Sequence, residues 1–289
     1  MKTVNKIVAP KAPHFVGDGF RVHNFIPGIQ GMDMKQMDPF IMMDYNSKFD
    51  FPASIIPKGV GVHPHKGFET VTIAYKGRVE HGDSSGGGGV IGEGDVQWMT
   101  AGAGVLHKEF HETEWSKTGG TFQMVQLWVN LPKAFKNTPA KYQSVANESM
   151  QRYALEDNLG EVEIIAGNYK GIQGPATTFS PVHMYNFKAK AGAKATFHFP
   201  KHYNTLLLVI EGSMKVNGGD LVPTDHLTLM NHDGEDFEVT METDGIVLVL
   251  SGEPLNEPIA HYGPFVMNTE EELMEAFRDF QEGKFGQLS

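Results

Sequence analysis

Apolar and polar residues alternate in short runs along most of this chain, the period-two signature of half-buried β-strands. The longest run is residues 121–130, Thr-Phe-Gln-Met-Val-Gln-Leu-Trp-Val-Asn. In the first half, residues 3–9, 19–26, 40–45, 55–62, 70–75, 78–81 and 96–100 read as further strands. In the second half, 162–166, 182–187, 205–210, 227–230, 237–241 and 246–250 read the same way. Lys76-Gly77, Gly92-Glu-Gly-Asp95 and Ala101-Gly-Ala-Gly104 supply turns, and 27–38 reads as a Gly- and Met-rich loop. One helix is expected over about 270–282. Thr269-Glu-Glu-Glu272 has the form of a capping box, and Leu273, Phe277 and Phe280 follow at helical spacing. The pattern predicts an all-β protein, two antiparallel β-barrels with a short C-terminal helix. The polar run over 132–140 is the expected linker, so the expected domains are 1–135 and 140–289.

The two halves repeat one plan. Glu69-Thr-Val-Thr-Ile-Ala-Tyr-Lys-Gly77 overlays Asn204-Thr-Leu-Leu-Leu-Val-Ile-Glu-Gly212 without a gap. Extended backwards, the overlay puts His63 on His198 and His65 on Pro200. A second ungapped overlay puts Asp95 on Asp225, His107 on Phe237 and Glu109 on Val239. The second half thus keeps the strands and loses three of four polar residues that the first half carries.

Those four residues are the candidate chemistry. Side chains two apart on a strand share a face, so His63 pairs with His65, and His107 with Glu109. Three imidazoles and one carboxylate on facing strands suit a divalent metal and leave coordination positions open. A lone histidine is ordinarily a hydrogen-bonded core or surface group, and His14, His111, His226 and His261 are read that way. Fe(II) in octahedral nitrogen and oxygen geometry is the first expectation; Zn, Mn, Co, Ni and Cu remain open. Glu69, four residues after His65, is expected to orient a ligand from outside the coordination sphere, and Gln97 and Met99 to line the cavity.

Composition narrows the partners. With no cysteine, disulfides, thiolate metal sites and thiol catalysis are excluded. The net charge of −11 disfavours direct nucleic-acid binding. The glycine run over 84–89 lacks a following Gly-Lys-Ser/Thr and precedes a strand, so it is a hairpin loop and not a phosphate cradle. No stretch reaches a membrane span and no apolar leader opens the chain, so the expected location is cytoplasmic, or nuclear in a eukaryote.

Several long motifs resemble the pirin family, a branch of the cupins. They are His63-Pro-His-Lys-Gly-Phe-Glu-Thr-Val-Thr72, Gly94-Asp-Val-Gln-Trp-Met-Thr-Ala-Gly-Ala-Gly-Val-Leu-His107, Gln126-Leu-Trp-Val-Asn-Leu131, Gly252-Glu-Pro-Leu255 and Gly263-Pro-Phe-Val-Met-Asn-Thr269. The resemblance implies a bicupin of jelly-roll barrels with metal in the N-terminal one, held by His63, His65, His107 and Glu109. It places the acid ligand at Glu109 and leaves Glu69 outside. It implies one of two functions. One is quercetin 2,3-dioxygenase activity, opening a flavonol with O2, with Glu109 as base. The other is metal-dependent regulation through protein partners in transcription or metabolism.

Overall fold

In the computed structural model, which describes residues 1–288, alternation becomes pairs of antiparallel sheets. The chain forms two compact units. One contains residues 12–147 together with the segment from Leu255 onward; the other contains Met1–Lys11 and Glu148–Pro254. The expected boundaries at 135 and 140 differ from this division at both ends. The strand Val4–Val8 pairs with Leu227–Met230 and so lies in the unit built from the second half of the chain. The helix Glu270–Gln281 belongs with the first half. Its buried face explains this: Leu273 and Ala276 pack with Phe265, Met267 and Phe285, and Leu106 borders that cluster. The expected capping box is present, with Thr269 accepting from the Glu272 backbone.

Each unit has a seven-stranded and a four-stranded sheet. In the first unit the larger sheet centres on Phe68–Lys76, Gly120–Asn130 and Phe40–Phe51, and the smaller on Gly59–His65, Val105–His111 and Val79–Asp83. Side chains from both sheets meet in one core, where Phe20, Ala74, Phe122 and Met124 pack with Val79 and Ile91. The expected barrels are therefore facing sheets. Among the described residues no ladder joins them into a closed ring. Two short helices, Met34–Met37 and Thr113–Thr118, stand where no helix was expected. The first lies in the supposed loop and is closed by an Asp33–Gln36 capping box.

The expected linker contains a staple. Lys136 is buried, and its ammonium donates to Gly67 O, Asn130 Oδ1 and Val266 O at 2.8, 2.8 and 2.9 Å. All three of its donors are used. Burial pushes its pKa down to about 8.

Strand pairing also corrects the internal overlay. His107 faces His63 across one ladder, and Phe237 faces Phe197 across the equivalent one. The counterpart of His63 is therefore Phe197, one residue from His198. A one-residue slip moves a side chain to the opposite face. His198 is exposed and paired with Asp236. By pairing, the second unit carries Phe197, Phe199, Phe237 and Val239 in place of all four polar residues, and all are buried in its core.

Candidate metal centre

The strand Val105–His111 alternates strictly, with Val105, His107, Glu109 and His111 buried and Leu106, Lys108 and Phe110 less so. Its neighbour Gly59–His65 pairs so that His107 lies opposite His63 and Val105 opposite His65. The three imidazoles consequently converge. Ring centroids are 4.9 Å apart for His63 and His65, 4.2 Å for His63 and His107, and 4.7 Å for His65 and His107. One ring nitrogen from each lies within 4.8 Å of the other two.

Hydrogen bonding sets the tautomers. His63 Nδ1 is 2.8 Å from Gly61 O and His65 Nδ1 is 3.4 Å from Pro264 O. A carbonyl only accepts, so each Nδ1 carries the hydrogen and each Nε2 keeps its lone pair. His107 is 1% exposed, and neither of its nitrogens has a hydrogen-bond partner among the described residues. Burying an imidazole without partners is unfavourable, and a metal ion would satisfy such a nitrogen. The donor set fits a divalent cation on that ground. Burial, then the charges of His65 and His63, holds the His107 pKa well below the usual value. Burial and His63 act likewise on His65, opposed by the Pro264 carbonyl. Both rings are kept neutral, as ligation requires.

Glu109 sits in a cage of donors. Gln97 Nε2 and Thr72 Oγ1 donate to its Oε1, the latter at 3.3 Å, and Gln126 Nε2 donates to its Oε2 at 2.8 Å. A Glu109 oxygen also lies within 4.8 Å of a nitrogen of His107 and of His81. Gln97 thus touches the carboxylate directly. Met99 packs with Ala101 and Val105 beside Tyr142.

Glu69 is elsewhere. Thr100 Oγ1 donates to its Oε1 at 2.8 Å, and alternation along Phe68–Lys76 puts Glu69 and Thr72 on opposite faces of the sheet. The sequence expectation carried parity from His65 to Glu69. The chain turns between them, at Gly67 with φ of +90°, and parity does not survive a turn. Burial pushes the Glu69 carboxyl up to about 7.

Comparison with known proteins places the chain. Residues 19–129 match the family described as Pirin, and 184–286 match the Pirin C-terminal cupin domain. Pirin-1 of Arabidopsis thaliana is 36% identical, with 93% of this chain and 90% of that protein covered. The chain belongs to the pirin family. A Pseudomonas aeruginosa protein named "Putative quercetin 2,3-dioxygenase PA2418" is 45% identical, with 99% of each covered. A crystal structure titled as quercetin 2,3-dioxygenase from Acinetobacter baumannii superposes with a TM-score of 0.93 at 47% identity, covering 100% of both chains. Among the described residues, no helix of this pirin is long and apolar enough to cross a membrane.

Sequence reasoning missed five residues around the pirin site: Thr72, His81, Asp83, Gln126 and Tyr142. His81 Nε2 is 3.1 Å from Asp83 Oδ2, with both side chains fully buried. Burial opposes ionisation of Asp83, but donation from His81, Ser85 and Gly87 outweighs it and brings the carboxyl down to about 2. Tyr142 stacks on His81 with centroids 5.0 Å apart. Burial, with Glu109 and Asp83, raises its phenol to about 12. A signal was present: His81-Gly-Asp83 has the same i, i+2 parity as the two clusters, at the end of a strand read as stopping at 81.

Proposed function

We propose that this protein is a metal-dependent dioxygenase that opens a flavonol such as quercetin with O2. His63, His65, His107 and Glu109 would hold one divalent ion, with Fe(II) the first candidate. The observation that carries the reading is the convergence of three imidazoles, His65 and His107 buried and His63 half-buried, two with Nδ1–H turned onto carbonyls and one with no partner among the described residues. The names borne by its near relatives support the choice of reaction.

A bound divalent ion supplies Lewis acidity that favours the flavonol 3-hydroxyl as its anion. Glu109 is the base for that proton. Its cage bears on this role: Gln97, Gln126 and Thr72 hold both oxygens in place, so the carboxylate receives a proton without swinging. Beside His63 and Glu109 lies a cavity of about 40 Å³, walled by Phe20, Val22, Val60 and Met124. Those side chains suit flat aromatic rings and exclude water. The space holds a water or two, whereas ligand pockets occupy roughly 300 Å³ or more. Flavonol entry therefore requires the half-buried Val60 and the exposed Val16 at its rim to yield.

The deciding experiment is quercetin-dependent O2 uptake on protein whose metal content is assayed in the same tube. Uptake that tracks one metal and vanishes in Glu109→Ala supports the reading. No uptake from fully loaded protein refutes it.

One observation favours the regulatory reading as a second function. The strand that turns His107 and Glu109 inward presents Lys108 and Phe110 to a cavity of about 400 Å³ on the opposite side, with Ile56 and Pro57. Metal and surface would communicate through a single strand. Metal loading that leaves hydrogen exchange over 55–58 and 105–111 unchanged would count against it.

A further inference from the structure

A metal-ligating histidine needs an acceptor for the hydrogen on its second nitrogen, which fixes the tautomer and the ring plane. Within the proposed metal site, His63 has Gly61 O and His65 has Pro264 O. His107 has no such carbonyl, and both its nitrogens are buried without partners. The neighbouring ring is His81, with centroids 5.3 Å apart.

His81 is built as an acceptor. Its Nε2 faces Asp83 Oδ2 at 3.1 Å, so Nε2 carries the hydrogen and Nδ1 carries the lone pair. That Nδ1 is buried and has no hydrogen-bond partner among the described residues. Asp83 is itself fixed, its Oδ1 accepting from Ser85 N, Ser85 Oγ and Gly87 N at 2.8, 2.6 and 3.0 Å. Tyr142 stacks nearly parallel to the imidazole, at 16°, and fixes its plane. A buried carboxylate and an aromatic ring thus orient this histidine. A ring nitrogen of His81 lies within 4.8 Å of one of His107, a span that one water bridges. The second unit bears on the argument too. There Val216 lies opposite Val239, as His81 lies opposite Glu109, so the relay position turned apolar together with the ligand positions.

We propose that His81, oriented by Asp83, is the positioning residue for His107: it accepts the hydrogen of the His107 nitrogen turned away from the ion, directly or through one water. This rests on the metal site proposed above. The test is titration of the chelator-stripped, full-length protein with Co(II) alone, by calorimetry and by the visible ligand-field spectrum. His81→Phe keeps a ring and removes the acceptor. His81→Asn restores an oxygen near the position of Nδ1. Asp83→Asn leaves the ring in place but no longer fixes its tautomer.

The expected result is 10- to 100-fold weaker Co(II) binding in His81→Phe, at an unchanged stoichiometry of one and with a shifted spectrum. His81→Asn should recover part of both, and Asp83→Asn should fall between; that variant also carries the test if His81→Phe fails to fold. Wild-type affinity and spectrum in His81→Phe and Asp83→Asn overturn the inference alone. Loss of all binding in His81→Phe, as complete as in His107→Phe, also overturns it, by making His81 a ligand. A wild type that binds no Co(II) overturns the metal site itself.

Discussion

Replacing His107 by phenylalanine should stabilise the metal-free protein while destroying the proposed metal site. His107 is 1% exposed and, before an ion turns its far nitrogen onto His81 as proposed above, presents one donor and one acceptor without a partner among the described residues. Each unsatisfied buried polar group costs about 1–3 kcal/mol, so the ring carries a penalty of about 2–6 kcal/mol. Phenylalanine removes both groups and enters a nest of rings, with His63 and His65 at 4.2 and 4.7 Å. The second unit already holds Phe237 at the equivalent place. Imperfect fit takes back about 1–3 kcal/mol, leaving a net gain centred on about 2 kcal/mol. That corresponds to a rise of roughly 2–10 °C in melting temperature for a unit of this size. Tryptophan fluorescence is the assay, because Trp98, Trp115 and Trp128 are the chain's three tryptophans and all lie in this unit. In chelator the variant should melt above the wild type. With ion at one hundred times its dissociation constant the wild type should gain about 2.7 kcal/mol and the variant nothing. A variant less stable than the wild type in chelator by more than about 1 kcal/mol would refute the reasoning, since it would mean the His107 nitrogens are satisfied in the metal-free protein.

Three further expectations follow from the same geometry. Neutral His65 and His107, held well below the usual histidine range by burial, should keep their metal below pH 6.5, the ordinary point of histidine protonation, and release it only in more acid solution; complete release above pH 6.5, measured as metal retained after dialysis, would contradict this. Glu69 has a folded pKa of about 7 against 4.5 unfolded, so its ionisation opposes folding and stability is lost as pH rises through that window. Glu69→Gln should therefore stabilise by a few kcal/mol, on the order of the shift converted, at pH 8 and change little at pH 4, as read by urea unfolding; equal effects at both pH values would exclude that origin. Gln126→Leu removes a bond to an ionised acceptor worth about 1.5–3 kcal/mol; O2 uptake should fall roughly tenfold or more through kcat if Glu109 must be held to act as base, and a change confined to KM would argue against that role.

Much of the fold was legible because alternation is a local signal. Val96–Thr100 and Leu227–Met230 fall where their patterns put them, and so does the capped helix that starts at Glu270. The i, i+2 histidines were legible for the same reason. What failed depended on the path of the chain between strands. Glu69 was misplaced because Gly67 interrupts the parity, and the overlay slipped by one residue at His198 because its register is set by pairing with Asp236–Met241. Gln126 and Thr72 sit in strands that read plainly as core, and only the meeting of two sheets turns them onto Glu109. Lys136 looked like a linker lysine, since nothing local announces three buried carbonyl-type acceptors.

The return of the C-terminal segment to the first unit has a consequence for biosynthesis. His65 leans on Pro264 O, and its neighbour Lys66 is locked to Asp279 at 2.9 Å. Residues 12–147 emerge from the ribosome long before either partner exists. At roughly 5–20 residues per second, the growing chain waits on the order of ten seconds, while residues 148–254 of the other unit are made, before this cluster can be finished. The nascent protein therefore cannot trap an ion in its final geometry as the histidines first appear. An ion held at the proposed site would be selected only once the last stretch of chain folds back, by a nearly complete molecule and from whatever ions the surrounding solution then offers.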